Sequence, residues 1–261
     1  MKFEKIRFQF THQDRVARIN LAAPKANILD RSMMRELDSA LSLCAGRELN
    51  AIVLAADGPH FSFGASVEEH LPDQIAEALQ ALHALLRRVA EAPAPVIAAV
   101  RGQCLGGGFE LVLACDLILA EKTAQFASPE IKLAVFAPAA SALLPVRVGQ
   151  AVASRLLLTG AALSAEEAAR CGLVARLADD LDATLDAWLE SDFLPRSPSS
   201  LKYACQAARL NLRRALDEDL PRLESLYLRD LMATPDAVEG IRAFLEKRAP
   251  QFARSPILTQ R

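Results

Sequence analysis

One stretch constrains this chain more than any other: Ile97-Ala98-Ala99-Val100-Arg101-Gly102-Gln103-Cys104-Leu105-Gly106-Gly107-Gly108-Phe109-Glu110. An apolar run of strand type enters a short loop, then three glycines, then a carboxylate at the mouth of an apolar helix. Inside a helix each glycine would cost roughly 1 kcal/mol relative to alanine. At a helix start they let backbone N–H groups approach something negative with no Cβ in between. Close packing of a helix on a strand would use the same glycines, so spacing alone leaves two readings. A nucleotide loop would want Lys-Ser or Lys-Thr after them, and a dinucleotide fold G-x-G-x-x-G; neither is present. Three residues beyond Gly107, Glu110 returns to the same helix face, placed for proton transfer beside a polarised oxygen.

Length and composition bound the rest. The 261 residues suffice for one large domain, or one with an appendage, and 52% apolar against 24% charged residues allows a sizeable core. With 30 basic and 32 acidic residues the net charge is -2, and no basic stripe offers a nucleic-acid footprint. The cysteines Cys44, Cys104, Cys115, Cys171 and Cys205 are odd in number and form no CxxC pair, as in reduced intracellular proteins. His12, His60, His70 and His83 never stand four apart, so no metal site is expected. No apolar signal core follows Met1-Lys2-Phe3-Glu4-Lys5. The longest charge-free apolar run, Leu133 to Val146, falls short of a ~20-residue membrane span and carries Pro138 and Pro145. The expectation is a cytoplasmic protein.

Alternation over Phe3 to Phe10 and Val16 to Leu21, around Thr11-His12-Gln13-Asp14, predicts an opening hairpin. Asp30 can cap a helix to about Cys44, with Met34, Leu37, Leu41 and Leu43 towards the core. A strand at Ala51 to Ala55, a helix from about Asp73 to Glu91, and a strand at Val96 to Val100 follow. The glycine helix to Ala114 and strands at Asp116 to Ala120 and Ala124 to Phe126 complete a series of α/β units. After Gly149 the pattern is almost entirely helical. It has a capping box at Ser164-Ala165-Glu166-Glu167 and helices from about Ser199 to Leu210, Leu216 to Leu231 and Asp236 to Arg248. Pro221 is a point where the second of these kinks or restarts. The division expected is an α/β core over residues 1–195 and a helical oligomerisation region over 196–261.

A second loop, Phe61-Ser62-Phe63-Gly64-Ala65-Ser66, follows the strand at Ala51 and can offer the Phe63 N–H beside that of Gly107. Two backbone donors from two loops would make an oxyanion hole for an enolate oxygen. Glu110 lies in an otherwise apolar helix, and Glu130 in Ser128-Pro129-Glu130-Ile131 reads as a loop or helix-start residue. Singly, either carboxylate suits a structural role at a helix start. Together with the glycines they form a pair in which burial would keep one protonated. Asp116 is expected to order a strand end, and Arg87-Arg88 to be a solvated helix face. Ser62 and Ser66 have no histidine at a motif distance, which leaves a hydrolase triad little support.

These segments resemble the crotonase (enoyl-CoA hydratase/isomerase) superfamily. The resemblance takes in Pro24 to Leu29, Phe61 to Ala65, Pro95 to Asp116, Ala124 to Phe126, Pro129 to Ile131, Leu158 to Gly160, Gly172 to Val174 and Ala243 to Arg248. It implies a spiral of ββα units with a helical C-terminal trimerisation region, assembled as a trimer or dimer of trimers. It implies a thioester oxygen held by the Phe63 and Gly107 N–H groups, with Glu110 and Glu130 as the catalytic pair in either order of acid and base. Lys25 and Ala65 would lie near the CoA phosphates and adenine, and Phe244 and Lys247 would help close the CoA site, often from a neighbouring subunit. Coenzyme A would come as part of the substrate, with no separate cofactor. The chain departs from the common hydratase after Glu130, where a glycine-rich segment is replaced by Leu133-Ala134-Val135-Phe136-Ala137-Pro138-Ala139-Ala140-Ser141, and at Ser66, which stands for a frequent Asp. Phe61 to His70 and Phe136 to Ser141 are most similar to the branch that adds water 1,4 to cyclohexa-1,5-diene-1-carbonyl-CoA in anaerobic benzoyl-CoA degradation. There Phe136 would line a pocket for a flat ring. The alternatives are general 2-enoyl-CoA hydration or isomerisation, and acyl-CoA binding without catalysis.

Overall fold

The computed structural model describes residues 2–23 and 26–252. The order is β1 (Ile6–Thr11), β2 (Val16–Leu21), α1 (Arg31–Leu43), β3 (Ala51–Ala56), α2 (Ile75–Ala90), β4 (Val96–Val100), β5 (Gln103–Leu105) and α3 (Gly107–Leu113). Then come β6 (Leu117–Glu121), β7 (Gln125–Ala127), α4 (Pro138–Thr159), β8 (Leu163–Ser164), α5 (Ala165–Arg170), β9 (Arg176–Ala178) and α6 (Leu181–Trp188). The last helices are α7 (Pro198–Ala208), α8 (Leu210–Arg214), α9 (Leu220–Ser225) and α10 (Pro235–Leu245).

Among the described residues the strands form a larger sheet in the order β1-β2-β3-β4-β6-β9 and a smaller one in the order β5-β7-β8. The opening hairpin is antiparallel, and every later pairing in the larger sheet is parallel, with Ile52 opposite Val96 and Ile97 opposite Leu117. Parallel strands need cover on both faces, which explains why β3 and β4 are apolar throughout. Alternate residues do point opposite ways. Ile52, Leu54, Val96, Ala98 and Val100 pack in the main core, whereas Val53, Ile97, Ala99 and Leu119 meet Leu181, Leu185 and Trp188 on the other face.

Local signals act as expected at several ends. Asp30 accepts the Met33 N–H at 2.8 Å, and Ser164 and Glu167 form the reciprocal capping box. His12, Gln13 and Asp14 all take positive φ in the hairpin turn. Three expectations are corrected. Leu43 is 41% exposed, because it falls at the last turn of α1 beyond the core-facing stripe. The chain after Gly149 is not wholly helical: β8 pairs with β7, and Arg176–Ala178 adds a parallel edge to the larger sheet. At three residues or fewer, neither strand is long enough to show a period. Arg87 is half-buried, donating to the Leu216 carbonyl at 3.1 Å, while Arg88 remains exposed and pairs with Asp38. Before Pro221, which lacks an N–H, the helix widens to an i→i+5 turn over Ala215–Asp219, and α9 follows directly.

Candidate active site

The smaller sheet docks the second loop beside the glycine run. Phe61 and Ser62 N–H groups donate to the Gln103 carbonyl at 3.0 Å, and Leu105 N–H donates to the Ser62 carbonyl at 2.9 Å. Ser62 is fully buried; its hydroxyl donates to the Asn27 carbonyl at 2.7 Å and accepts the Gly64 N–H at 3.1 Å. That serine holds the loop and is not poised as a nucleophile.

Each glycine has a separate reason to lack a side chain. Gly106 takes φ +50°, and a Cβ there would lie 2.8 Å from Glu130 Oε1. A Cβ on Gly107 would sit 3.1 Å from both the N and the Cβ of Ala65. A Cβ on Gly108 would sit 2.6 Å from the Ser62 Cβ, so close packing and an open helix mouth are both present in one run. Gly106 N–H donates to the Ala127 carbonyl at 2.9 Å, which fastens the helix entry to β7. Gly107 opens α3, where no intrahelical acceptor is available to its N–H.

The expected second donor is corrected. Phe63 N–H is committed to the Ala26 carbonyl at 3.0 Å, and the Phe63 side chain is 42% exposed. Ala65, two residues on, is the residue whose amide nitrogen faces Gly107. Gly64, at φ +104°, stands between them in the chain. Nothing in the sequence reveals that conformation beyond the glycine itself.

Two carboxylates close this end of the cavity. Glu110, on α3, is buried, and its Oε1 accepts the Ala140 N–H at 2.8 Å from the first turn of α4. Burial raises its pKa to about 7, opposed by the Ala140 and Ala139 amides. Glu130 sits in the 3₁₀ turn Pro129–Leu133 that follows β7. As a residue it keeps some exposure, but its Oε2 is buried and makes no hydrogen bond among the described residues. Burial, then the nearby Glu110 charge, raises its pKa to about 8. Two coupled carboxyls of this kind hold a proton at neutral pH.

From the glycines and carboxylates the cavity runs into an apolar end lined by Leu79, Leu82, Val135, Phe136, Tyr227 and Ile241. Ala65 and Phe136 are therefore brought to it. Phe244 is 53% exposed on α10, and Lys247 is exposed just after it; neither lines the cavity of the single chain. Lys25 lies outside the described residues. Tyr227, the Ala139 and Ala140 amides, and the Ala65 N–H are site groups that sequence reasoning did not single out.

Residues 11–255 match the enoyl-CoA hydratase/isomerase family. The chain belongs to that family. Among relatives of this enoyl-CoA hydratase/isomerase family protein, the cyclohexa-1,5-dienecarbonyl-CoA hydratase of Thauera aromatica is 48% identical over 90% of this chain and 92% of its own. A probable enoyl-CoA hydratase of Rhizobium meliloti is 41% identical over 92% and 95%. The crystal structure of an enoyl-CoA hydratase from Mycobacterium avium superposes with a TM-score of 0.84 at 32% identity, over 94% of this chain and 98% of that one. The crotonase-like α/β fold is thereby shared. Among the described residues no helix is long and apolar enough to cross a membrane.

Proposed function

We propose that this chain hydrates a cyclic dienoyl-CoA, adding water 1,4 to cyclohexa-1,5-diene-1-carbonyl-CoA to give 6-hydroxycyclohex-1-ene-1-carbonyl-CoA. The observation that carries this reading is the 48% identity to the Thauera aromatica hydratase across nearly its whole length. The apolar cavity end, with Phe136 and Tyr227 packed ring to ring, supports a flat acyl group.

In this scheme the thioester oxygen accepts the Gly107 and Ala65 N–H groups, aided by the dipole at the start of α3. Glu110, as carboxylate, orients water and takes its proton as the oxygen–carbon bond forms. Negative charge spreads from the thioester oxygen through the dienolate to a ring carbon remote from the attack. Glu130, the carboxyl with the higher pKa, delivers its proton to that carbon. Water is added across the diene and one ring double bond remains. Proton exchange from Glu110 back to Glu130 resets the pair. Coenzyme A itself would be gripped by Lys25, Phe244 and Lys247, the last two across a subunit contact. That contact fits a cytoplasmic homotrimer or dimer of trimers with residues 196–261 as the oligomerisation region.

The test is a rate comparison on purified protein, cyclohexa-1,5-diene-1-carbonyl-CoA beside crotonyl-CoA, followed at the thioester–ene absorbance. Hydration of the cyclic diene as the faster reaction is expected. Turnover of crotonyl-CoA alone would replace the proposal with general 2-enoyl-CoA hydration. Tight CoA-thioester binding without any turnover would make the chain a binding member of the family.

A further inference from the structure

One polar group in the cavity has no part in the scheme above. Tyr227 lies in the widened helical turn Leu226–Leu231, is 1% exposed, and lines the cavity with Glu110 and Glu130. Its ring meets Phe136 edge-on with 5.4 Å between centroids. That oxygen is buried and makes no hydrogen bond among the described residues. A buried hydroxyl without a partner is destabilising, and a native core rarely keeps one for packing alone. Glu130 Oε2, on the same cavity, is orphaned in the same way.

The two orphans share a neighbourhood. Besides burial, the charges of Glu130 and then Glu110 act on the phenol, and all three raise its pKa, so it stays a neutral donor. Glu110 Oε1 already has the Ala140 amide. An oxygen atom held between the carboxylates is the ligand atom that would satisfy the phenol and Glu130 Oε2 together. The thioester oxygen is already assigned to the Gly107 and Ala65 amides in that scheme, and an aliphatic ring edge would satisfy neither orphan.

We propose that Tyr227 is a third catalytic residue, whose O–H donates to the oxygen added to the ring, first as water and then as the product hydroxyl. This rests on the hydration reading above. The phenol keeps its own proton throughout: water loses one proton to Glu110, the remaining hydroxyl bonds to carbon, and Glu130 protonates the distant carbon. In the reverse direction the same donor stabilises the departing hydroxide. With a donor on one side and a carboxylate on the other, the water's lone pair is aimed at one carbon, which is a positioning gain.

Tyr227→Phe keeps the ring on Phe136 and removes only the oxygen, so a melting temperature no lower than that of the unmodified protein is expected. On the cyclic diene kcat should fall about ten- to a hundredfold with KM little changed. Calorimetric affinity for 6-hydroxycyclohex-1-ene-1-carbonyl-CoA should drop about tenfold, while that for cyclohex-1-ene-1-carbonyl-CoA, which lacks the hydroxyl, stays the same. An unchanged kcat, or equal losses for the hydroxylated and deoxy thioesters, would overturn the assignment. If the unmodified enzyme hydrates only open-chain substrates, the ring reading fails separately. The affinity ratio of 3-hydroxybutyryl-CoA to butyryl-CoA in the two proteins then decides Tyr227 by the same criterion.

Discussion

Two carboxylate sites, Asp116 just beyond the end of α3 and the Glu110–Glu130 pair at the cavity, are built in opposite ways. In the first, Asp116 Oδ2 accepts the Val96 N–H at 2.7 Å, and both its oxygens accept from Arg209 at 2.8 and 2.5 Å. Arg209, only 3% exposed, also donates to the Ala90, Ala92 and Ala94 carbonyls, so its guanidinium is fully engaged. In the second, Glu130 Oε2 and the Tyr227 hydroxyl are buried with no partner among the described residues. Both sites bear the desolvation cost of burying ionisable groups, but only the first recovers it within the fold. The saturated site ties α7 to the sheet; the unsaturated one keeps unused hydrogen-bonding capacity in the cavity. Completeness of hydrogen bonding, more than burial, separates Asp116 from Glu130.

The largest effect should come from Glu110→Gln, which we expect to lower kcat by roughly 10²–10⁴-fold without loss of thermal stability. Retention of wild-type hydration by that variant would remove the carboxylate pair from the mechanism. Arg209→Ala should act in the reverse sense, costing roughly 3–5 kcal/mol in urea unfolding because Asp116 is left charged and unpaired. The folded fraction should keep its kcat; a specific loss of rate would mean that the two sites are not separable. Gly107→Ala places a Cβ 3.1 Å from Ala65 and should lower kcat by roughly a hundredfold through the disturbed donor pair. Phe63→Ala, whose N–H is occupied elsewhere, should leave kcat nearly intact, and a matching loss would restore Phe63 as the donor.

The smallest effect is on stability against pH. The folded-state pKa values of Glu110 and Glu130 are both raised, so the fold holds protons that the unfolded chain releases. Their stabilising contribution is present in full below the unfolded carboxylate pKa and is lost as pH rises through about 7 and 8. Urea unfolding at pH 5 and pH 8.5 should therefore show a larger drop in the unmodified protein than in Glu130→Gln. Equal drops would mean that Glu130 ionises as freely in the fold as in the unfolded chain.

Much of this was legible along the chain because its signals are local. Glycines at 106 to 108 beside an apolar strand mark a helix mouth, Asp30 and Ser164 mark caps, and a lone Glu110 in an apolar helix marks a buried charge. The site was legible less evenly. Phe63 and Ala65 are equivalent as letters, and only the fold assigns one N–H to Ala26 and brings the other amide beside Gly107. Tyr227 looks like any aromatic in an amphipathic helix, and Arg209 like any helix-end arginine; both matter through partners more than 90 residues away in sequence.

The sequence by itself determined the family, the α/β core and the two glutamates, since periodicity, caps and a glycine-carboxylate run are properties of neighbours in the chain. Tertiary structure alone decided which loop amide lies beside Gly107, which carboxylate is saturated, and that an unpartnered phenol lines the cavity with the two glutamates. Those outcomes depend on where remote backbone donors point once the sheets are assembled, and a one-dimensional pattern carries no direction.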